Sequence, residues 1–495
     1  MKNPIALIIL DGFGYSPQTE YNAIAKAAKP YFDLFLKKYP HILLPASGSA
    51  VGLPKKTIGN SQVGHLTIGT GHIIEQPSLF ITKAIKDGSF FTNKIVIDNL
   101  EQLQKTGGRL HCMGLLSDAN VHSNVAHLYA LLKIAKTQNS TNLFIHAFLD
   151  GRDVAPQSAS HYLAALQEHI QQLGIGTIGS LHGRFYAMDR DHNWQRTEQS
   201  YKILTQTQEI QFNSWQQALE FYYHDAITDE FIPPTQLHPD SIIKEGDGII
   251  FFNFRADRAR QLTQTFIDPD FSFFPIQHLS LTFFITPVNY HMTRPITVLF
   301  PDPLITSSLN QQLSQAGKTI FSIAETEKYA HISYFFNGYN DRLFPTETRL
   351  LIPSLPLKKY SENPEMSAPE ITKAVINDLE DHPHDFYLIN YANADMVGHS
   401  GNFEATVKAI EYLDKQLGIL YQIVVQQMNG TLLITGDHGK AEEMVDPKTG
   451  LVNKAHTTNP VYFIMVQKDA KQQMLNSLKS LADITPFILE RMGLT

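Results

Sequence analysis

The sequence predicts an α/β fold built on mostly parallel sheets, from three observations. Short apolar runs read as buried strands, amphipathic segments alternate with them, and the runs lead into aspartate. The first run, residues 5–10 (IALIIL), stops at Asp11, and 143–149 (LFIHAFL) stops at Asp150. Residues 386–391 (FYLINY) lead to Asp395, and 431–435 (TLLIT) lead to Asp437. Unbroken apolar runs of this length suit strands covered on both faces. Segments 126–137, 158–173, 370–380 and 404–427 read as helices between them, and that alternation is the α/β pattern. Ligands of parallel sheets gather beyond the carboxyl ends of strands, so the aspartate-bearing ends weigh more together than singly.

A chain of 495 residues is long for one domain, and two or three are expected. One boundary is expected near 76, after G-T-G-H-I-I-E-Q-P, and another within 294–304 (RPITVLFPDPL), where prolines stiffen a connection. Residues 1–76 and 304–495 would then form one discontinuous domain, with 77–303 inserted.

Bulk properties exclude several classes. The net charge of −8 and pI near 6.2 offer no general attraction to nucleic acid or anionic membranes. Cys112 is the only cysteine, which rules out an intrachain disulfide and thiolate zinc sites. Six apolar residues before Asp11 are too few for a signal-peptide core, and no later run reaches the length of a membrane span. A soluble, cytoplasmic protein, expected to be a monomer, follows.

Aspartate and histidine recur at close spacing. Asp395 and His399 stand four apart, on one face if helical. Asp437-His438-Gly439 follows an apolar strand, His456 lies in K-A-H-T-T-N-P, and Asp11 ends the first strand. An isolated Asp-x-x-x-His pair is more often a surface helix pair, and Asp-His-Gly alone is as readily a turn. As a set at strand ends they supply three carboxylates and three imidazoles, enough for two divalent ions. Oxygen and nitrogen donors without sulfur suit Mn²⁺, Co²⁺ or Zn²⁺ better than Ca²⁺. Two dications against three carboxylates leave one positive charge, which a serine alkoxide would balance.

Ser61, in G-N-S-Q-V-G-H, can sit at a helix N-cap, where free N–H groups favour phosphate. Flanking glycines let the backbone approach a ligand. An ordinary capping serine is the plainer reading, and the metal set shifts the balance toward a nucleophile. Arg152, Arg184, Arg190, Arg255 and Arg258 cluster in the middle segment with Asp153. Such forks bind phosphate and carboxylate, unless neighbouring aspartates merely neutralise them as surface pairs. His122 reads equally as a pocket residue or a satisfied loop histidine.

These motifs resemble the cofactor-independent phosphoglycerate mutases of the alkaline phosphatase superfamily. The likeness runs along nearly the whole chain: L-D-G-F-G (10–14), G-N-S-Q-V-G-H (59–65), V-H-S-N (121–124), F-L-D-G-R-D (148–153), G-R-F-Y-A-M-D-R-D (183–191), F-F-N-F-R-A-D-R-A-R (251–260), A-E-T-E-K-Y-A-H (324–331), N-A-D-M-V-G-H-S-G (393–401), G-D-H-G (436–439) and K-A-H-T-T-N-P (454–460). The resemblance implies an alkaline-phosphatase-like domain with an inserted transferase domain. It implies one metal on Asp395, His399 and His456, and another on Asp11, Ser61, Asp437 and His438. Two divalent ions, Mn²⁺ foremost with Co²⁺, Zn²⁺ or Mg²⁺ as alternatives, are the implied cofactors. Substrate would be held by His122, Arg152, Asp153, Arg184, Arg190, Arg255, Arg258 and Lys328; Lys328 is picked out by the resemblance alone. Where members usually carry Glu, Gly-Gly, His, Pro, Ala and Asn, this chain has Gln62, Ala119-Asn120, Asn124, Ala394, Gly436 and Lys440. None of these removes an implied ligand.

The implied activity is that of an isomerase of glycolysis and gluconeogenesis. Ser61 would take the phosphoryl group of 3-phosphoglycerate as phosphoserine and return it to O2, without bisphosphoglycerate. Asp153, helped by His122, would handle protons, with Ser61, Asp153, His122 and Lys328 as catalytic groups. Holding glycerate and excluding water separate a mutase from a phosphatase, so domain closure is expected. A related phosphatase or phosphopentomutase would share the metal half but lack the D-G-R-D and F-R-A-D-R series. A non-catalytic relative would have lost a ligand, and an interaction module would not depend on metal.

Overall fold

A computed structural model describes residues 3–140, 142–301, 305, 307–355, 360–447 and 449–494. The strands are β1 (Ile5–Leu10), β2 (His41–Leu44), β3 (Leu110–Leu116), β4 (Leu143–Leu149), β5 (Thr177–Gly183), β6 (Thr235–Gln236), β7 (Gly248–Phe251), β8 (Phe283–Thr286), β9 (Thr297–Val298), β10 (Ile320–Glu325), β11 (Glu347–Ile352), β12 (Phe386–Tyr391), β13 (Thr431–Thr435) and β14 (Val461–Val466). The chain divides into two compact units, Met1–Gln76 with Leu304–Thr495, and Pro77–Pro303. The proline-rich connection expected over 294–304 contains β9, and its residues 302–304 lie outside the described residues.

The first unit holds a seven-stranded sheet in the order β11-β10-β12-β1-β13-β14-β2. Its strands are parallel except for β14, which runs antiparallel to both β13 and β2. Successive residues of β1 enter opposite cores, as strand geometry demands. Ala6, Ile8 and Leu10 pack with Ile410, Leu413 and Val375, whereas Ile5, Leu7 and Ile9 pack with Leu309, Leu313 and Ile488. Both faces are thus covered by helices, which explains why β1, β12 and β13 are predominantly apolar. Their register aligns Ile9 with Asn390 and Thr435, so the residues that follow emerge together at one sheet edge.

The second unit holds a seven-stranded sheet in the order β6-β5-β4-β3-β7-β8-β9, parallel except for the β5–β6 pair. The fold is therefore α/β with two mostly parallel sheets, as the strand pattern predicted. Among the described residues no helix is long and apolar enough to cross a membrane.

A buried polar chain crosses the second sheet. Asp247 Oδ2 lies 3.0 Å from His111 Nε2, and His111 Nδ1 lies 3.0 Å from His146 Nε2. Ser180 Oγ then bridges His146 Nδ1 and His182 Nε2, each at 2.7 Å. A carboxylate can only accept, so each neutral histidine donates from Nε2 and the chain points one way, toward Asp247. Burial lowers the pKa of all three rings, that of His182 to about 3. An unfolded histidine takes up a proton near pH 6.5, so stability present above that value is lost as pH falls toward 3. His182 costs about 1.4 kcal/mol per pH unit in that window, and the other two rings act in the same direction. Both tryptophans, Trp194 and Trp215, lie in this unit, so their fluorescence reports its unfolding. With chelator present, urea unfolding of His182→Gln should lose less stability between pH 6 and 4.5 than the parent, by about 1.4 kcal/mol per pH unit. Equal pH slopes would contradict a neutral His182.

Candidate active site

Ser61 opens the helix Ser61–Thr70, and its place differs from the expected one. The N-cap is Asn60, whose side chain accepts from the Val63 N–H at 3.1 Å, which makes Ser61 the first helical residue. Gly64 lies against the next loop, since a Cβ there would stand 2.5 Å from the Asp437 carbonyl oxygen. Ser61 is 5% exposed. Its hydroxyl lies 3.0 Å from Asp11 Oδ1, 3.0 Å from His438 Nε2 and 2.7 Å from Lys328 Nζ.

Lys328 comes from the short helix Thr326–Ala330 after β10. Its ammonium also reaches Asp11 Oδ1 at 2.6 Å and Asp395 Oδ2 at 2.7 Å. Burial disfavours this charge, but Asp11, Asp395 and Asp437 outweigh burial and hold its pKa above the ordinary lysine range. Burial likewise opposes ionisation of Asp11 and Asp395, and Lys328 with the nearby histidines reverses it, so both carboxyls titrate well below their usual range.

Two groups of donors converge here, Asp395 with His399 and His456, and Asp11 with Asp437 and His438. Asp395 and His399 lie at the two ends of one helical turn, Asn393–Gly398 and its C-cap. Asp437 and His438 follow β13, and Asp11 follows β1. Each imidazole places Nδ1 against a carbonyl oxygen: His399 against Lys454 at 2.8 Å, His456 against Gly59 at 2.9 Å, and His438 against Gly439 at 3.2 Å. A carbonyl only accepts, so Nδ1 carries the proton and Nε2 of the neutral ring offers its lone pair to the cluster.

Those lone pairs need a cation. His399 Nε2 and His456 Nε2 stand 2.9 Å apart, and each is 3.2 Å from Asp395 Oδ1. Asp395 Oδ1 and Asp437 Oδ2 are buried and accept no hydrogen bond, an arrangement that costs free energy unless positive charge meets them. Burial opposes protonation of His438, but Asp437, Asp11 and Asp395 outweigh it and raise its pKa to about 9. This donor set fits divalent ions, which would supply the charge that a proton and Lys328 supply without them.

Two supporting residues escaped the sequence reading. Asn390 donates from one amide nitrogen to Asp11 Oδ2 at 3.0 Å and to His65 Nε2 at 2.9 Å. His65 donates from Nδ1 to the Ser61 carbonyl at 2.8 Å. The signals were a lone polar residue in F-Y-L-I-N-Y and a histidine four positions after Ser61, one turn along the same helix face.

The second unit carries the arginines beyond the carboxyl ends of β4, β5 and β7, with His122 beyond that of β3. Arg184 NH1, 3% exposed, bonds Asp150 Oδ1 at 2.5 Å and Asp153 Oδ2 at 2.6 Å. Arg190 reaches Asp257 at 2.7 Å, Arg255 reaches the same carboxylate at 3.1 Å, and Arg152 reaches Glu230 at 2.8 Å. Arg258 donates to the Met188 carbonyl at 3.2 Å, and burial with Arg190 and Arg184 lowers its pKa. His122 is buried 4.0 Å from Asp153 and 3.7 Å from Asp257. Burial, with Arg184 and Arg255, pushes its pKa down to about 3, so it is neutral at pH 7.

Two of the residues that depart from the pattern named above have defined partners. Asn124 caps the helix Val125–Thr137 through the Ala126 N–H and donates to Asn120 at 2.7 Å. Lys440 is fully buried and donates to the Asn453 carbonyl at 3.1 Å.

Comparison with known proteins agrees along the chain. The family model "BPG-independent PGAM N-terminus (iPGM_N)" matches residues 81–292. A 2,3-bisphosphoglycerate-independent phosphoglycerate mutase of Clostridium perfringens is 45% identical over 498 residues, covering 100% of this chain and 97% of the relative. One from Legionella pneumophila (strain Lens) is 46% identical over 494 residues, covering 99% and 96%. The crystal structure of Leishmania mexicana phosphoglycerate mutase at low cobalt concentration is similar at a TM-score of 0.75 and 29% identity, covering 100% of this chain and 96% of the other. Likeness of this extent leaves no part of either unit unmatched, and the chain belongs to the 2,3-bisphosphoglycerate-independent phosphoglycerate mutases, a family of enzymes.

Proposed function

We propose that this chain interconverts 3-phosphoglycerate and 2-phosphoglycerate through a phosphoserine on Ser61, with two divalent ions and no bisphosphoglycerate. The observation that carries the reading is the position of the Ser61 hydroxyl among Lys328, His438 and Asp11, beside two buried carboxylate oxygens that lack donors. Asp395, His399 and His456 would hold one ion, and Asp11, Asp437 and His438 with Ser61 the other. Bound ions would lower the pKa of the serine hydroxyl and offset charge on the phosphoryl group. We propose Mn²⁺, the ion the family resemblance puts foremost among those that oxygen and nitrogen donors without sulfur suit, with Co²⁺, Zn²⁺ and Mg²⁺ as the alternatives to test.

Ser61 Oγ, deprotonated, attacks phosphorus; the Oγ–P bond forms as the bond from phosphorus to O3 breaks. Asp153 gives a proton to O3 and later takes one from the O2 hydroxyl, so the cycle balances. O2 then attacks the phosphoserine, and the Ser61 alkoxide is regenerated. Lys328 offsets charge on the transferring group. The five arginines meet four carboxylates, Asp150, Asp153, Glu230 and Asp257. The arginines outnumber these acidic groups, and the surplus positive charge, larger while Asp153 holds the proton it gives to O3, matches the carboxylate of glycerate. His122, uncharged, offers hydrogen bonds beside Asp153. The reading includes a cytoplasmic monomer with a small-molecule substrate.

The test is a coupled assay without bisphosphoglycerate. Chelation should remove at least nine-tenths of the activity and Mn²⁺ should restore it, with Co²⁺, Zn²⁺ and Mg²⁺ compared alongside (magnitude roughly that of a metal-dependent phosphoryl transfer). Full activity after exhaustive chelation would overturn the metal assignment.

A further inference from the structure

Glu442 is a buried carboxylate, 1% exposed, five residues beyond Asp437. Its two oxygens accept from four donors on three segments. Oε2 accepts the Gly14 N–H at 3.2 Å and the Lys440 N–H at 2.8 Å. Oε1 accepts the Thr457 hydroxyl and the Asn459 amide, the latter at 3.0 Å.

Each donor neighbours a residue assigned above to metal. Gly14 is three residues after Asp11, Lys440 two after His438, and Thr457 directly after His456. The backbone adds links among the same loops, Ala441 N–H to the Gly12 carbonyl at 3.1 Å and Thr457 N–H to the Gly439 carbonyl at 3.0 Å. The surrounding sequence leaves room for this side chain. A Cβ at Gly14 would stand 2.5 Å from Glu442 Cδ, and one at Gly439 would stand 2.4 Å from Glu442 Oε1. With four donors the lone pairs of the carboxylate are occupied, so Glu442 is no ligand itself.

We propose that Glu442 is the positioning residue that holds the Asp11, Asp437-His438 and His456 loops in register for metal, a proposal that rests on the metal reading above. Ligands on three separate loops converge only if the loops are tied, and outer hydrogen bonds of this kind set metal affinity. Glu442→Gln keeps the shape but turns one acceptor into a donor, which then faces N–H or O–H groups that also donate.

The readout is Mn²⁺ binding, followed by the electron paramagnetic resonance of free Mn²⁺ in titrations of the chelated full-length protein. The visible spectrum of the Co²⁺ form is recorded in parallel. Parent protein should bind two ions, and Glu442→Gln should bind at least one of them about 10–100-fold more weakly, with an altered Co²⁺ spectrum. Glu442→Asp, which keeps the charge but recedes by one methylene, should fall between. A purely structural role would lower the melting temperature of the metal-free protein and leave the affinity of the folded protein unchanged. If Glu442→Gln does not fold, Thr457→Val, which removes one donor, takes its place with a smaller loss expected. Parent-like affinity and spectrum in the folded variant overturn the positioning role while the metal reading stands. Parent protein that binds no ion overturns both.

Discussion

Ser61→Ala should lower turnover of 3-phosphoglycerate by about 10⁴-fold or more, because the residue proposed to accept the phosphoryl group is gone. The fold should survive. The hydroxyl is small and buried, and Lys328 retains Asp11 and Asp395 as partners. Added bisphosphoglycerate should rescue nothing, since in the proposed route the phosphoryl group resides on the enzyme. The check is kcat in the coupled assay at saturating Mn²⁺, with circular dichroism to confirm folding. Turnover within tenfold of the parent would rule out the serine route (the remaining groups being worth roughly 10³–10⁴ over water in a comparable case).

Lys328→Met should have two effects that separate by metal content. With metal, kcat should fall by about 10²–10³-fold, the loss expected when a charge aimed at a transferring group is removed. Without metal, Asp11 and Asp395 lose the ammonium that lies 2.6 and 2.7 Å from them. Stranding buried charge in this way costs about 3–5 kcal/mol, so the chelated variant should melt well below the chelated parent. Mn²⁺ should recover much of that deficit, because ions would meet the same carboxylates. Unchanged melting in chelator would contradict the role of Lys328 as counter-charge.

What the sequence reveals depends on how local the physics is. The runs at 5–10, 143–149, 386–391 and 431–435 coincide with β1, β4, β12 and β13, since strands buried on both faces are mostly apolar. Strands β6 and β9, two residues each at the edge of a sheet, carry no such signal. Asp11, Asp395, Asp437 and His438 were legible because each stands directly at a strand end or one turn beyond it. Lys328 was not, because its importance comes from burial between carboxylates supplied by distant strands. The arginines illustrate the same limit. Their types were readable, but Arg152 pairs with Glu230 and Arg190 with Asp257, partners 78 and 67 residues away. The reading of Ser61 as a cap missed by one position, since Asn60 before it is an equally good capping residue.

The central claim is a phosphoryl group carried on Ser61, and the most direct measurement is to catch it there. Mn²⁺-loaded protein, mixed with phosphoglycerate and quenched in acid within the first turnovers, is digested and the phosphopeptide sequenced by mass spectrometry. The account predicts phosphate on Ser61, at a level that falls to nothing in Ser61→Ala. Undiminished turnover with no phosphate on Ser61 at any quench time, or the phosphate found on another residue, would contradict it.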